Sequence, residues 1–171
     1  MRKRVSIKMN TELINRLIYK KATPEDVDAL VAVRLQVLRT VFKLNENADL
    51  TDVEKATYDY YKVALLDGSH TAYLVFDEDC VIGVGGICYF QVMPMPYDPS
   101  GKRAYIMNVY TDEKYRGNGI AGKVVNLLIE DSKSHGVTHM SLSSTEMGRP
   151  LYEKFGFVTE NGAMIYRAPK S

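Results

Sequence analysis

Cysteine is scarce in this 171-residue chain, and the two present, Cys80 and Cys88, fall eight positions apart on one strand-like run. On an extended strand their α-carbons would stand about 26 Å apart, which excludes a disulfide between them. Without a disulfide framework, a reducing cytoplasm is the expected compartment. An excess of either charge is also missing, because 22 Lys and Arg face 21 Asp and Glu for a net charge of +1. That balance excludes the broad basic surface of a typical nucleic-acid binder. The three histidines, His70, His135 and His139, share no metal-ligand spacing with either cysteine and read as surface or strand positions, so no metal is expected. Long apolar runs are lacking as well. The longest uncharged stretch, residues 80–97, contains Gly83, Gly85, Gly86, Pro94 and Pro96, and so reads as a buried strand with a loop rather than a membrane span. The basic opening Met1-Arg2-Lys3-Arg4 has no apolar segment behind it and is not expected to act as a secretion signal.

What remains has the length and composition of one globular domain. Residues 1–16 show no clear periodicity and read as an extension, loosely helical or frayed, ahead of a domain at residues 17–171. A short strand is expected at residues 17–21. Thr23-Pro24-Glu25-Asp26 then opens a helix whose stripe is Val27, Leu30, Val31, Arg34 and Leu38. Thr51-Asp52-Val53-Glu54 has the form of a capping box, followed by Tyr58, Tyr61 and Leu65 at helical spacing and by Gly68 as a stop. Beyond Gly68 the period becomes two, predicting antiparallel strands at 71–76 and 81–91 around the turn Asp77-Glu78-Asp79. Three prolines make residues 93–101 a loop, which could cover a substrate or serve as a solvent-facing connector. A strand at 104–110, a helix carrying Ile120, Val124, Leu127, Leu128 and Asp131 up to Gly136, and a strand at 137–142 then form a right-handed βαβ unit.

Between the first of those strands and the helix stands Arg116-Gly117-Asn118-Gly119-Ile120-Ala121. Glycines allow a tight turn with its N–H groups facing inward, the helix adds a partial positive charge, and Arg116 adds a planar cation. Such a turn suits a pyrophosphate. Gly117, Gly119 and Gly122 also spell a dinucleotide fingerprint, but residues 111–115 separate them from the strand and the positions near 142 are Leu142-Ser143-Ser144 instead of an acid. Gly117 through Lys123 nearly spells a P-loop, yet Val124 stands where a magnesium-binding hydroxyl is required.

Ile106-Met107-Asn108-Val109-Tyr110-Thr111, the turn from Arg116 to Ala121, and Leu151-Tyr152-Glu153-Lys154-Phe155-Gly156-Phe157 together resemble the GCN5-related N-acetyltransferase (GNAT) family. Arg116, Gly119 and Ala121 match its R/Q-x-x-G-x-G/A signature, and the segment centred on Tyr152 is a second, independent match. The resemblance implies a mixed α/β fold with three αβα layers, in which a mostly antiparallel, twisted sheet splays at the coenzyme site. It implies acetyl-CoA as cosubstrate, with the pyrophosphate on the backbone of Arg116, Gly117, Asn118, Gly119, Ile120 and Ala121. The pantetheine arm would lie on the backbone of Val109, Tyr110 and Thr111. An amide at or near Val109 would polarise the thioester carbonyl.

By the same resemblance Tyr152 would protonate the leaving thiolate. The strand at 104–110 holds no carboxylate, so a direct base there is excluded, and Asn108 could orient a water while Glu146 or Glu46 act from flanking segments. Many relatives carry Asn where this chain has Thr145, which can still hydrogen-bond at the coenzyme. Acceptor choice would fall to the first two helices, their connection at residues 38–52, and the proline loop. The activity implied is acetyl transfer to a primary amine of a small molecule or peptide. The competing reading is a non-catalytic coenzyme A-binding regulatory module. No nucleic-acid or membrane partner is expected, and exposed sheet edges would allow a homodimer.

Overall fold

The computed structural model describes residues 11–160, 162 and 164–168, so the first ten residues of the N-terminal extension lie outside it. Local sequence explains most element boundaries. A short helix, α1 (Thr11–Arg16), precedes strand β1 (Ile18–Lys21). The Asp26 carboxylate then accepts the Thr23 N–H at 2.9 Å and closes a 3-10 turn, Pro24–Asp26, that runs into α2 (Val27–Val41). Helix α3 (Thr51–Asp67) ends where Gly68 takes φ +75°, as its position after the last apolar residue predicts. Its start differs from the expected capping box. Asp49 caps it instead, accepting from the Thr51 N–H at 2.9 Å and the Thr51 hydroxyl at 2.7 Å.

Among the described residues five strands lie in sequence order, β1, β2 (His70–Asp77), β3 (Cys80–Gln91), β4 (Lys102–Thr111) and β5 (His139–Leu142). All neighbours are antiparallel except β4 and β5, which run parallel across helix α4 (Ile120–Ser134). A last helix, α5 (Arg149–Glu153), follows β5. Alternation along the strands feeds two cores. Leu74 and Val84 pack with Leu30, Val31 and Tyr61 of α2 and α3, while Val75, Ile87 and Ile106 pack with Ile120, Val124 and Leu128 of α4. The sheet is therefore the middle of three layers, in agreement with the fold class read from the sequence.

Two irregularities in this sheet shape the site. Opposite Val75 and Phe76, Ile82 is an extra residue on β3, which sends Ile82 and Val84 to opposite faces despite their spacing of two. Farther along, Val84 pairs with Tyr110 and Gly86 with Met107, so β4 carries an extra residue at Asn108 and Val109. Asn108 adopts φ +56° there, a left-handed conformation that asparagine tolerates better than most residues. Gly85 and Gly86 oppose this bulge. A Cβ on Gly85 would run into Val124 of α4, and one on Gly86 would lie 2.6 Å from His70 Nε2, so the pair admits a close helix on one face and an imidazole on the other.

Candidate active site

The pairing of β4 with β5 covers four residues, Arg103 with His139 through Ile106 with Leu142. Beyond Ile106 the two strands part, and residues 107–111 have no strand partner on that side among the described residues. The βαβ unit thus opens a wedge at the carboxyl ends of its strands, where open sheets bind ligands.

The glycine turn stands at the mouth of this wedge. Asp112 caps the short 3-10 turn Glu113–Tyr115 by accepting the Lys114 N–H at 2.9 Å. The Tyr115 hydroxyl donates to Asp77 Oδ2 at 2.8 Å, and Arg16 donates to the same carboxylate at 2.6 and 2.8 Å. These bonds hold the Asp77 carboxyl below its usual range. The Asn118 amide donates to the Tyr115 carbonyl at 2.9 Å, which fastens the turn from within. Gly117 and Gly119 take φ +82° and +76°, and α4 begins at Ile120. Lys123 is the first residue whose N–H finds a backbone acceptor, Gly119 O at 3.0 Å, so among the described residues the N–H groups of residues 117–122 donate to no backbone carbonyl. Six consecutive donors at a helix N-terminus fit a pyrophosphate. Arg116 is drawn back against β4, its Nε donating to Thr111 O at 3.2 Å and its guanidinium lying 6.0 Å from the centre of the Tyr110 ring.

Tyr152 lies on α5, which packs on the start of α4 where Leu151 approaches Gly122. Its ring is half-buried and meets Phe157 edge to face at 6.0 Å, and burial pushes its phenol up. Thr145 is exposed, and its hydroxyl and carbonyl both accept from Gly148 N at 3.1 Å, so its observed part is to start α5.

On the other face of the sheet, beside the bulge, a cavity of about 400 Å³ is lined by Arg34 of α2, Asp52, Thr57, Tyr60 and Tyr61 of α3, and Met107 and Asn108 of β4. Arg34 donates to Asn108 Oδ1 at 3.0 Å. The Asn108 amide nitrogen is buried and has no hydrogen-bond partner among the described residues. Asn108 thus holds the Arg34 head with its oxygen, while its side chain also lies against the Tyr61 phenol. Burial pushes the Tyr61 phenol up, while the Arg34 charge and the Asn108 side chain pull it down. Behind the wall the Tyr60 hydroxyl meets His70 Nδ1 at 2.9 Å, and burial pushes Tyr60 up to about 12.

Glu46 and Glu146 are both exposed and neither lines this cavity. Asp52 is the carboxylate that does. The proline loop joins β3 to the opposite end of β4, about 20 Å from Asn108 along the strand, and its Met93 and Tyr97 face solvent, so it forms a connector here. Arg34, Asp52, Tyr60 and His70 were not identified by sequence as site residues. Arg34 did carry one signal, a charge on the apolar stripe of α2.

A predicted acetyltransferase with acetyl-CoA from Clostridium acetobutylicum superposes with a TM-score of 0.79 at 25% identity, covering 88% of this chain and 96% of that one. A GCN5-related N-acetyltransferase from Ralstonia eutropha superposes at 0.74 with 23% identity, over 90% and 99% of the two chains, and so supports the fold. Glucosamine 6-phosphate N-acetyltransferase of Trypanosoma brucei brucei is 38% identical over 68 residues, a match spanning 39% of this chain and 46% of that protein. The family model for the acetyltransferase (GNAT) family matches residues 38–157. That match takes in the cavity wall on α3, the bulge, the glycine turn and Tyr152, and the chain accordingly belongs to the acetyltransferase (GNAT) family.

Proposed function

We propose that this protein transfers an acetyl group from acetyl-CoA to a primary amine by direct attack of the amine on the thioester. One observation carries the reading: the free N–H groups of residues 117–122 stand beside a strand edge left unpaired at residues 107–111, a site with both an anion cradle and a slot for an extended amide chain. Acetyl-CoA supplies the acetyl group in activated form. Arg116, Gly117, Asn118, Gly119, Ile120 and Ala121 would hold its pyrophosphate, and Val109, Tyr110 and Thr111 would hydrogen-bond its amide-bearing arm. An N–H at or near Val109 would receive the carbonyl oxygen as charge builds there. Thr145 acts through the cap that orients α5.

The proton balance needs two partners. As the new C–N bond forms and the C–S bond breaks, the sulfur takes a proton and the nitrogen gives one up. Tyr152 carries its phenol proton at neutral pH as any tyrosine does, burial pushes its pKa further up, and it donates that proton to the sulfur. The amine attacks in its neutral form, and Asp52, on the wall of the cavity beside the bulge, receives the proton that the nitrogen loses as it becomes an amide. Asn108 contributes by fixing Arg34 at this wall.

The test is a coenzyme A release assay over an amine panel, with product masses measured. Glucosamine 6-phosphate heads the panel because a relative is named for it, followed by amino acids, polyamines and peptide N-termini. Amine-dependent release with a mass gain of one acetyl group is the expected result. Tight coenzyme binding without turnover on any amine would favour a non-catalytic regulatory module, and absence of coenzyme binding would refute both.

A further inference from the structure

We infer that Arg34 is an anion-recognition site for the acceptor, and that this enzyme takes small amines that also carry a carboxylate or phosphate. The inference rests on the acetyl-transfer reading of the same site. Arg34 stands on the inner stripe of α2, where leucine and valine otherwise fill the helix face, and it lines a cavity of about 400 Å³. Among the described residues its guanidinium has no carboxylate within ion-pair distance, and its hydrogen bond is to the neutral Asn108 amide at 3.0 Å. A partly buried cation without a counter-ion is costly, and a guanidinium has five donors of which that bond uses one. The remaining fork suits the paired oxygens of a carboxylate or phosphate.

The surroundings sharpen the selectivity. Because a guanidinium can only donate, the Asn108 oxygen must face it, and the bulge that holds Asn108 at φ +56° therefore sets where the Arg34 head lies. An amine without an anionic group would leave the free donors of the Arg34 fork unfilled, with Asp52 the one carboxylate lining the cavity among the described residues. A zwitterionic amine would neutralise the Arg34 charge while its nitrogen reaches the bulge. Arg34 thus selects for amino acids or amino-sugar phosphates and against polycations.

Matched pairs test this: an amino carboxylate against its carboxamide, and glucosamine 6-phosphate against glucosamine. The wild type should favour the anionic member by at least about 10-fold in kcat/KM, the scale of a charge-assisted hydrogen bond. In Arg34→Gln that ratio should fall to about 2 or less, Arg34→Lys should keep part of it, and the KM for acetyl-CoA should stay within about 2-fold in both, since the lost bonds are to the acceptor. The carboxylate and phosphate arms identify the anion. Calorimetric titration of the same pairs, with and without coenzyme A, reads the site without turnover, and thermal melts check that both variants fold. Acetylation of charged and neutral members alike, or equal binding of the anions to wild type and Arg34→Gln, would overturn the inference while leaving acetyl transfer intact. Arg34-dependent anion binding without acetylation would overturn the transferase reading instead.

Discussion

His70 should make this protein lose stability between pH 7 and pH 4 by an amount that one substitution can isolate. The imidazole is 3% exposed, lies edge-on to Tyr60 and Tyr61 with ring centres 5.5 and 5.3 Å away, and has no partner for Nε2 among the described residues. Burial pushes its pKa down to about 4 from the ordinary 6.5. Between those values the unfolded chain binds a proton that the folded chain refuses. The stability tied to neutral His70 is thus fully present above pH 6.5 and is lost as pH falls through 4. Each pKa unit corresponds to about 1.4 kcal/mol, so the loss is about 2 kcal/mol at pH 5 and about 3 kcal/mol when complete. The assay is urea unfolding of wild type and His70→Gln at pH 7.5 and pH 5. Gln keeps an acceptor for the Tyr60 hydroxyl but does not titrate. Carboxylates titrate alike in both proteins, so the difference between the two pH dependences isolates His70, whatever the variant's own stability. Equal losses of stability in both proteins, or a His70 resonance titrating near 6.5 in the native state, would refute the argument.

Other perturbations separate the parts of the site. Tyr152→Phe should lower kcat by about 10- to 1000-fold with the coenzyme Kd retained, as measured by single-turnover kinetics and calorimetry, since only the acid is removed. Gly119→Val forces a β-branched side chain into φ +76° and should weaken coenzyme A binding about 10-fold or more, read by calorimetry. Gly85→Ala drives a methyl group into Val124 and should cost about 1–3 kcal/mol in urea unfolding, with the KM for acetyl-CoA rising as α4 is pushed from the bulge.

Local chemistry was the legible part. The glycine turn, the turn opened by Thr23 and Pro24 and the stop at Gly68 each depend on a few adjacent residues, although Pro24 opens a 3-10 turn and α2 itself begins at Val27. Competition between neighbours was harder, since Asp49 and Thr51 can each cap α3 and the carboxylate two positions earlier takes the role. Contacts across elements left fainter traces. The extra residue at Asn108 is invisible in an alternating pattern, although an asparagine inside a strand of apolar letters is a hint of left-handed backbone. Arg34 and Asp131 both interrupted apolar helix faces. Asp131 is buried and accepts from Tyr89 at 2.6 Å and from Lys21, whereas Arg34 opens on a cavity. Arg16 reaches Asp77 across 61 residues, a link from the extension into the domain that no periodicity could predict.

The parting of β4 from β5 has a consequence for the protein before it meets its coenzyme. Among the described residues, 107–111 present an unpaired strand edge on the β5 side, the kind of surface that another chain can complete. An amide-bearing ligand arm in that gap would stand in for the missing strand. The coenzyme would therefore act as a structural partner as well as a reactant, and the resistance of this protein to unfolding and to self-association would follow its supply.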